Sequence, residues 1–163
     1  IVARSKKDRT DEEKKFGIQI DSLVDLVSFG VFPALIAYSM GFTEPWCFLL
    51  FAIYTLGAVI RLGYFNVVEE TRQQQTTEKR KFYQGLPVTS SSLIFPMIYC
   101  LTVWFPIHVV QQIYFFGLGV VGFLFVLDFK VPKPGLKGIL AMIGAGAILL
   151  AVLVINGYVR MGR

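Results

Sequence analysis

From Gly17 to the end, the chain is a succession of apolar runs broken by short connections with Gly and Pro and by one longer polar segment, Asn66 to Gln84, which reads as a basic membrane-surface loop. A helix needs about 20 apolar residues to cross a hydrocarbon layer roughly 30 Å thick. Runs of that order cover residues 17–40, 46–64, 86–104, 109–127 and 137–158. Lipid offers no partner for backbone N–H and C=O groups, so segments of this kind must pair their own backbone as helices. The expected fold is an all-α, polytopic transmembrane helical bundle with five spans, one domain over residues 1–163. Turns are expected at Gly41–Pro45, Phe105–His108 and Asp128–Gly135, where Gly and Pro punctuate the pattern. No repeat of solenoid period divides the chain.

The composition agrees with lipid as the solvent: 55% of residues are hydrophobic and 15 are Phe. The net charge of +5 reflects membrane topology and does not call for nucleic acid. Six Lys/Arg precede the first run, five lie between Arg61 and Lys81, three are Lys130, Lys133 and Lys137, and the last two are Arg160 and Arg163. With five spans the first three groups share one side, and the connections at residues 41–45 and 105–108 carry neither Lys nor Arg. The positive-inside rule then puts the rich side in the cytoplasm of a multi-pass cell-membrane protein. Cys47 and Cys100 lie within apolar runs without metal-ligand spacing and read as small core residues. His108, in a connection on the far side, reads as a surface residue. Gly138, Gly144 and Gly146 in the last run read as close helix-packing positions.

Two carboxylates stand at the head of the first run, in Gly17-Ile-Gln-Ile-Asp21-Ser-Leu-Val-Asp25. On a helix, residues four apart lie about 40° apart around the axis, so Gly17, Asp21 and Asp25 form one stripe. Ionisable groups entering a membrane segment are costly, and two at this spacing need a cation or a proton to coexist. The plain alternative is an interfacial pair satisfied by water or by Lys14 and Lys15. An ion site in a transporter is a further alternative, but it would call for carboxylates nearer the bilayer midplane and internal symmetry.

Ala3-Arg4, a charged stretch, and then Gly17-x-x-x-Asp21-x-x-x-Asp25 resemble the second half of the CDP-alcohol phosphotransferase motif, Asp-x-x-Asp-Gly-x-x-Ala-Arg followed by Gly-x-x-x-Asp-x-x-x-Asp. Arg61-Leu-Gly-Tyr-Phe65-Asn66 and Gly85-Leu86-Pro87 are similar to blocks of the bacterial phosphatidylserine synthases within that family. The segment Ser5–Phe16 is longer than the family's spacer, and an extra helical turn or a bulged loop would absorb the difference. The chain opens Ile-Val-Ala-Arg without Met, so it is expected to be N-terminally incomplete, with the two leading aspartates and at least one further span upstream. A chain lacking them is expected to be inactive if its metal cage is split in this way.

The resemblance implies a metal-dependent enzyme of phospholipid synthesis that moves a phosphatidyl group from CDP-diacylglycerol to the hydroxyl of L-serine, giving phosphatidylserine and CMP. Glycerol 3-phosphate or inositol are the other acceptors that such a family admits. It implies Asp21 and Asp25 as ligands of Mg²⁺ or Mn²⁺, for which hard oxygen donors are suited, with Asp25 also serving as general base. Gly17 would let the nucleotide approach the helix backbone, and Arg4 would contact a phosphate. Arg61 is a candidate anion contact for a lipid phosphate or the serine carboxylate, or else an interfacial side chain snorkelling to headgroups. Asn66 and Gln84 are candidates for orienting the amino acid. Membrane lipids are the expected surroundings, and a homodimer is one assembly open to such a bundle.

Overall fold

The computed structural model of the protein describes residues 10–75, 82–132 and 135–161. The first helix, α1 (Asp11–Asp25), opens on a capping box. The Glu13 N–H donates to the Thr10 hydroxyl at 3.2 Å, and the Thr10 N–H donates to the Glu13 carboxylate at 3.1 Å. These reciprocal bonds satisfy backbone donors that a helix start leaves unpaired. The helix therefore begins before Gly17, and the described end of the long spacer is helical. From Asp25 it passes through a six-residue π segment, Leu26–Val31, into α2 (Phe32–Ser39). Gly41, at a φ of +103°, turns the chain toward α3 (Pro45–Gln75).

The remaining elements are a short strand β1 (Phe82–Gln84), α4 (Ser91–Cys100) with 3₁₀ turns at both ends, α5 (Ile107–Val126), β2 (Lys130–Pro132) and α6 (Leu136–Met161). Among the described residues, three helices are long and apolar enough to cross a membrane: Glu12–Ser39, Pro45–Arg72 and Ile107–Val126. Val88–Val103 and Leu140–Ile155 are shorter apolar helices at the places of the third and fifth expected spans. The protein is thus a multi-pass helical bundle, with large apolar side chains such as Phe16, Leu49, Phe116 and Phe123 on its outer surface. Such an outer face suits lipid and would be a liability in water.

Two features differ from the sequence expectation. The second span does not give way to a loop after Tyr64, because α3 continues to Gln75. No Gly or Pro interrupts residues 64–75, and Glu69 and Arg72 form a 2.6 Å ion pair at i, i+3 spacing. Polarity moves a helix out of lipid but does not end it. The second feature is a small antiparallel sheet in which Phe82, Tyr83 and Gln84 pair with Pro132, Val131 and Lys130. Both strands fall in segments read as polar connections, since three-residue strands leave no period to detect. Their pairing brings the connection before α4 and the connection after α5 to the same end of the bundle.

The buried cluster lies where α2, α3, α4 and α5 meet and includes Ala34, Ala37, Tyr54, Ala58, Phe95, Tyr114, Leu118 and Phe125. Phe95 packs against both buried tyrosines, with ring centroids 5.8 Å from Tyr54 and 4.8 Å from Tyr114. Helices α3 and α5 approach closely at two glycines: a Cβ on Gly57 would stand 2.8 Å from the Gly122 carbonyl oxygen. Small residues at such a crossing let backbones approach where lipid supplies no hydrophobic drive. Two of the α6 glycines expected to pack are less crowded, for Gly144 faces open space and Gly146 only reaches ordinary contact with Leu93. Cys47 and Cys100 are buried and free, as expected for small core residues.

Candidate active site

The polar stripe lies at the bundle end where β1 and β2 pair. Gly17, Asp21 and Asp25 follow one another turn by turn on α1. Gly17 is partly covered, Asp21 is exposed, and Asp25, the last residue of α1, is partly buried. Asn66 on α3 reaches across to this stretch and donates from Nδ2 to the Ser22 hydroxyl at 2.7 Å. The Ser22 hydroxyl in turn donates to the Ile18 carbonyl at 3.0 Å. Asn66 is thus a helical residue beside the carboxylates rather than a loop residue.

Arg61 is the buried cation of the site, only 6% exposed in the middle of α3. Its Nη2 donates to the Gly85 carbonyl at 3.1 Å. The guanidinium therefore turns inward toward the β1–α4 connection, and the snorkelling alternative does not describe it. Gly85 occupies a left-handed conformation, φ +66°, and a Cβ there would stand 2.5 Å from the Leu127 carbonyl oxygen and 3.0 Å from Arg61 Nη1. Only glycine fits such a place without strain. The Gly85 N–H donates to the Phe129 carbonyl, which fastens this turn to the β2 side.

A cavity of about 600 Å³ opens between these elements. Asp25 and Arg61 both line it, along with Leu62, Phe65, Leu86 and Met142. A second cavity of about 190 Å³ is also lined by Arg61, together with Tyr64 and Asp128. Tyr64 donates from its hydroxyl to Gln84 Oε1 at 3.3 Å. The structure therefore brings Asp25 and Arg61 to one cavity and ties Asn66 to the carboxylate-bearing turn, while Gln84 of β1 stands against Tyr64 of α3. Arg4 lies outside the described residues. Among the described residues no three His, Cys, Asp or Glu side chains gather as a metal site.

Chemically, the arrangement joins a carboxylate and a buried guanidinium at the walls of a largely apolar chamber, at the charged end of a membrane bundle. That combination suits an amphiphile with an anionic head and hydrocarbon chains. The sequence model of the CDP-alcohol phosphatidyltransferase family matches residues 1–158. The chain belongs to the CDP-alcohol phosphatidyltransferase family. It is similar to a Saccharomyces cerevisiae CDP-diacylglycerol–serine O-phosphatidyltransferase, 41% identical over 86 residues, which covers 52% of this chain and 31% of the yeast protein. The enzyme of the same description from Mycobacterium bovis is 28% identical over 146 residues, covering 89% of this chain and 51% of that protein. One from Methanocaldococcus jannaschii is 28% identical over 153 residues, covering 94% of this chain and 67% of its own length. The chain spans about half or less of the length of the yeast and mycobacterial relatives it matches.

Residues that the sequence did not single out join the site through these contacts: Ser22 as the partner of Asn66, and Tyr64 and Asp128 beside Arg61. Ser22 stands within the stripe but off its face, and its partner is 44 residues away. No local pattern signals such a contact.

Proposed function

We propose that the protein transfers a phosphatidyl group from CDP-diacylglycerol to the hydroxyl of L-serine, releasing CMP, with its active site facing the cytoplasm. The observation that carries this reading is the presence of Asp25 and Arg61 on the walls of one chamber, in a chain of this family whose matched relatives are described as serine phosphatidyltransferases. The apolar walls, Leu62, Phe65, Leu86 and Met142, would receive the glycerol backbone and the start of the acyl chains. Arg61 would hold a phosphate oxygen or the serine carboxylate with charge-assisted hydrogen bonds.

In the reaction, the serine hydroxyl oxygen forms a new bond to the phosphorus that carries the diacylglycerol. The bond from that phosphorus to the bridging oxygen breaks, and the bridging oxygen leaves with CMP. Asp25 accepts the hydroxyl proton, a role open to a carboxylate within hydrogen-bond reach of the acceptor. Asn66 holds the α1 turn beside Asp25, and Gln84 is proposed to contact the amino acid from the β1 side.

Asp21 and Asp25 supply hard oxygen donors one turn apart. Mg²⁺ is commonly held by one or two carboxylates together with substrate phosphates, so the pair fits Mg²⁺ or Mn²⁺ even though no third acidic, His or Cys side chain gathers with it among the described residues. Such a cation, when bound, would neutralise charge that builds on the pyrophosphate.

The test is release of CMP by the purified full-length protein from CDP-diacylglycerol in detergent, with serine, glycerol 3-phosphate and inositol offered separately. Serine-dependent release with formation of phosphatidylserine is expected. Release that follows glycerol 3-phosphate or inositol instead would overturn the acceptor assignment and leave the family reaction intact.

A further inference from the structure

The π segment that begins directly after Asp25 has an identifiable cause and an identifiable clasp. In a regular helix the Phe29 carbonyl would accept from the amide four residues on, but that residue is Pro33, which has none. A buried carbonyl without a donor is costly. Two hydroxyls from other helices approach it instead. Tyr54 on α3, fully buried, donates to the Phe29 oxygen at 2.6 Å. Ser91 at the start of α4 lies 3.3 Å from the same oxygen and 2.9 Å from the Val88 carbonyl, and its single proton serves one of them at a time. One residue further, the Gly30 carbonyl accepts from Thr55 at 3.3 Å, and the Pro33 carbonyl accepts from buried Tyr114 at 3.2 Å.

The clasp matters for Asp25 because of geometry. A π turn holds one residue more than an α turn, so the residues before it are rotated by about 100° relative to an unbroken helix. The residues after it are fixed, since Ala34 and Ala37 of α2 lie in the core. The presence or absence of the π segment thus decides which way Asp21 and Asp25 face. With it, Asp25 lines the chamber that also holds Arg61.

We infer that Tyr54 is a positioning residue: by holding the Phe29 carbonyl it keeps the π segment wound and aims Asp25 into the chamber. Tyr54 itself is absent from the chamber lining, so it acts through Asp25 and not on the substrate. The inference rests on the proposed role of Asp25, and its test is arranged to separate the two.

In the full-length protein, Tyr54→Phe keeps the ring and removes only the hydroxyl. The turnover number is expected to fall by about tenfold to a hundredfold, as for a misplaced reacting group, with KM for both substrates nearly unchanged. Wild-type turnover in this variant would overturn the inference. A second measurement needs no activity: Ser22→Cys and Asn66→Cys, whose native side chains touch, are joined by a short thiol-specific linker while Cys47 and Cys100 stay buried. The yield is expected to drop several-fold when Tyr54→Phe is added, and an unchanged yield would overturn the inference whatever the reaction.

The double variant Pro33→Ala/Tyr54→Phe separates aim from stability, because the alanine supplies the missing amide to Phe29. Thermal stability is expected to return toward wild type while turnover stays low. If both return, Tyr54 is merely structural and the inference fails. This variant also carries the test if Tyr54→Phe alone does not fold. A fall in linker yield in a protein that shows no phosphatidyl transfer at all would uphold the clasp and overturn the proposed reaction.

Discussion

Asn66 on α3 donates to the hydroxyl of Ser22 on α1 at 2.7 Å, so the turn between Asp21 and Asp25 is tied to a helix 44 residues further along the chain. Asn66→Ala removes that tie and leaves Ser22 its own bond to the Ile18 carbonyl. The expected cost is about 0.5–1.5 kcal/mol of stability, read as a lowered midpoint of thermal unfolding in detergent. A midpoint equal to wild type would show that the tie contributes nothing to holding α1.

Asp25→Asn is nearly isosteric and keeps a hydrogen-bonding side chain at the chamber wall, but it cannot take a proton at neutral pH. Loss of a general base typically costs about 10²–10⁴-fold in rate. Turnover of CDP-diacylglycerol with serine should fall in that range while binding of CDP-diacylglycerol persists. Normal turnover would remove Asp25 from the role of base.

Asp21 is more exposed than Asp25, and its proposed duty is metal binding alone. Chelation with EDTA is expected to abolish transfer, and Mg²⁺ or Mn²⁺ to restore it. In Asp21→Asn the metal concentration for half-maximal activity should rise by about tenfold or more, in line with the loss of one carboxylate from a site of few protein ligands. Activity that survives exhaustive chelation would overturn the metal assignment for both aspartates.

Gly85→Ala tests the turn that Arg61 holds. The left-handed backbone and the 2.5 Å approach to the Leu127 carbonyl leave no room for a Cβ, so about 1–3 kcal/mol of destabilisation is expected. Because the same turn fixes the Arg61 guanidinium through the Gly85 carbonyl, KM for the anionic substrate should rise as well. An alanine variant with unchanged unfolding midpoint and unchanged KM would mean that the turn adapts freely.

Arg61→Lys keeps the charge but loses the planar fork that can bond a backbone carbonyl and an anion together. A rise in KM of about tenfold is expected with the fold retained, checked by titrating CDP-diacylglycerol and serine separately. The substrate whose KM moves identifies the anion that Arg61 contacts.

Much of the architecture was legible in the linear text because it depends on local pattern. Apolar runs of membrane length, Gly and Pro at the turns, and the four-residue spacing of Gly17, Asp21 and Asp25 placed the long helices and the stripe. The grouping of Lys and Arg put the connections before α4 and after α5 on one side, and the pairing of β1 with β2 brings those connections together. Local pattern also misled where polarity and helix ending were treated as one signal: α3 runs to Gln75 and carries Asn66 on a helix. Gly144 of α6 looked like a packing position by composition, yet it faces open space and a tight helix approach is made by Gly57 and Gly122, since the sequence does not say which helices meet.

A membrane bundle with two carboxylates a turn apart at a charged end follows from residue order alone, because helix period, hydrophobic length and charge are properties of neighbouring residues. Where those carboxylates point and what faces them follow from the packing of helices distant in the chain. The inward turn of Arg61 onto Gly85, the Asn66 tie to Ser22 and the Tyr54 clasp on Phe29 each join residues 24 to 44 positions apart. Each pairs a polar group that is wholly or partly withdrawn from solvent, and which partner it finds depends on how the helices are packed.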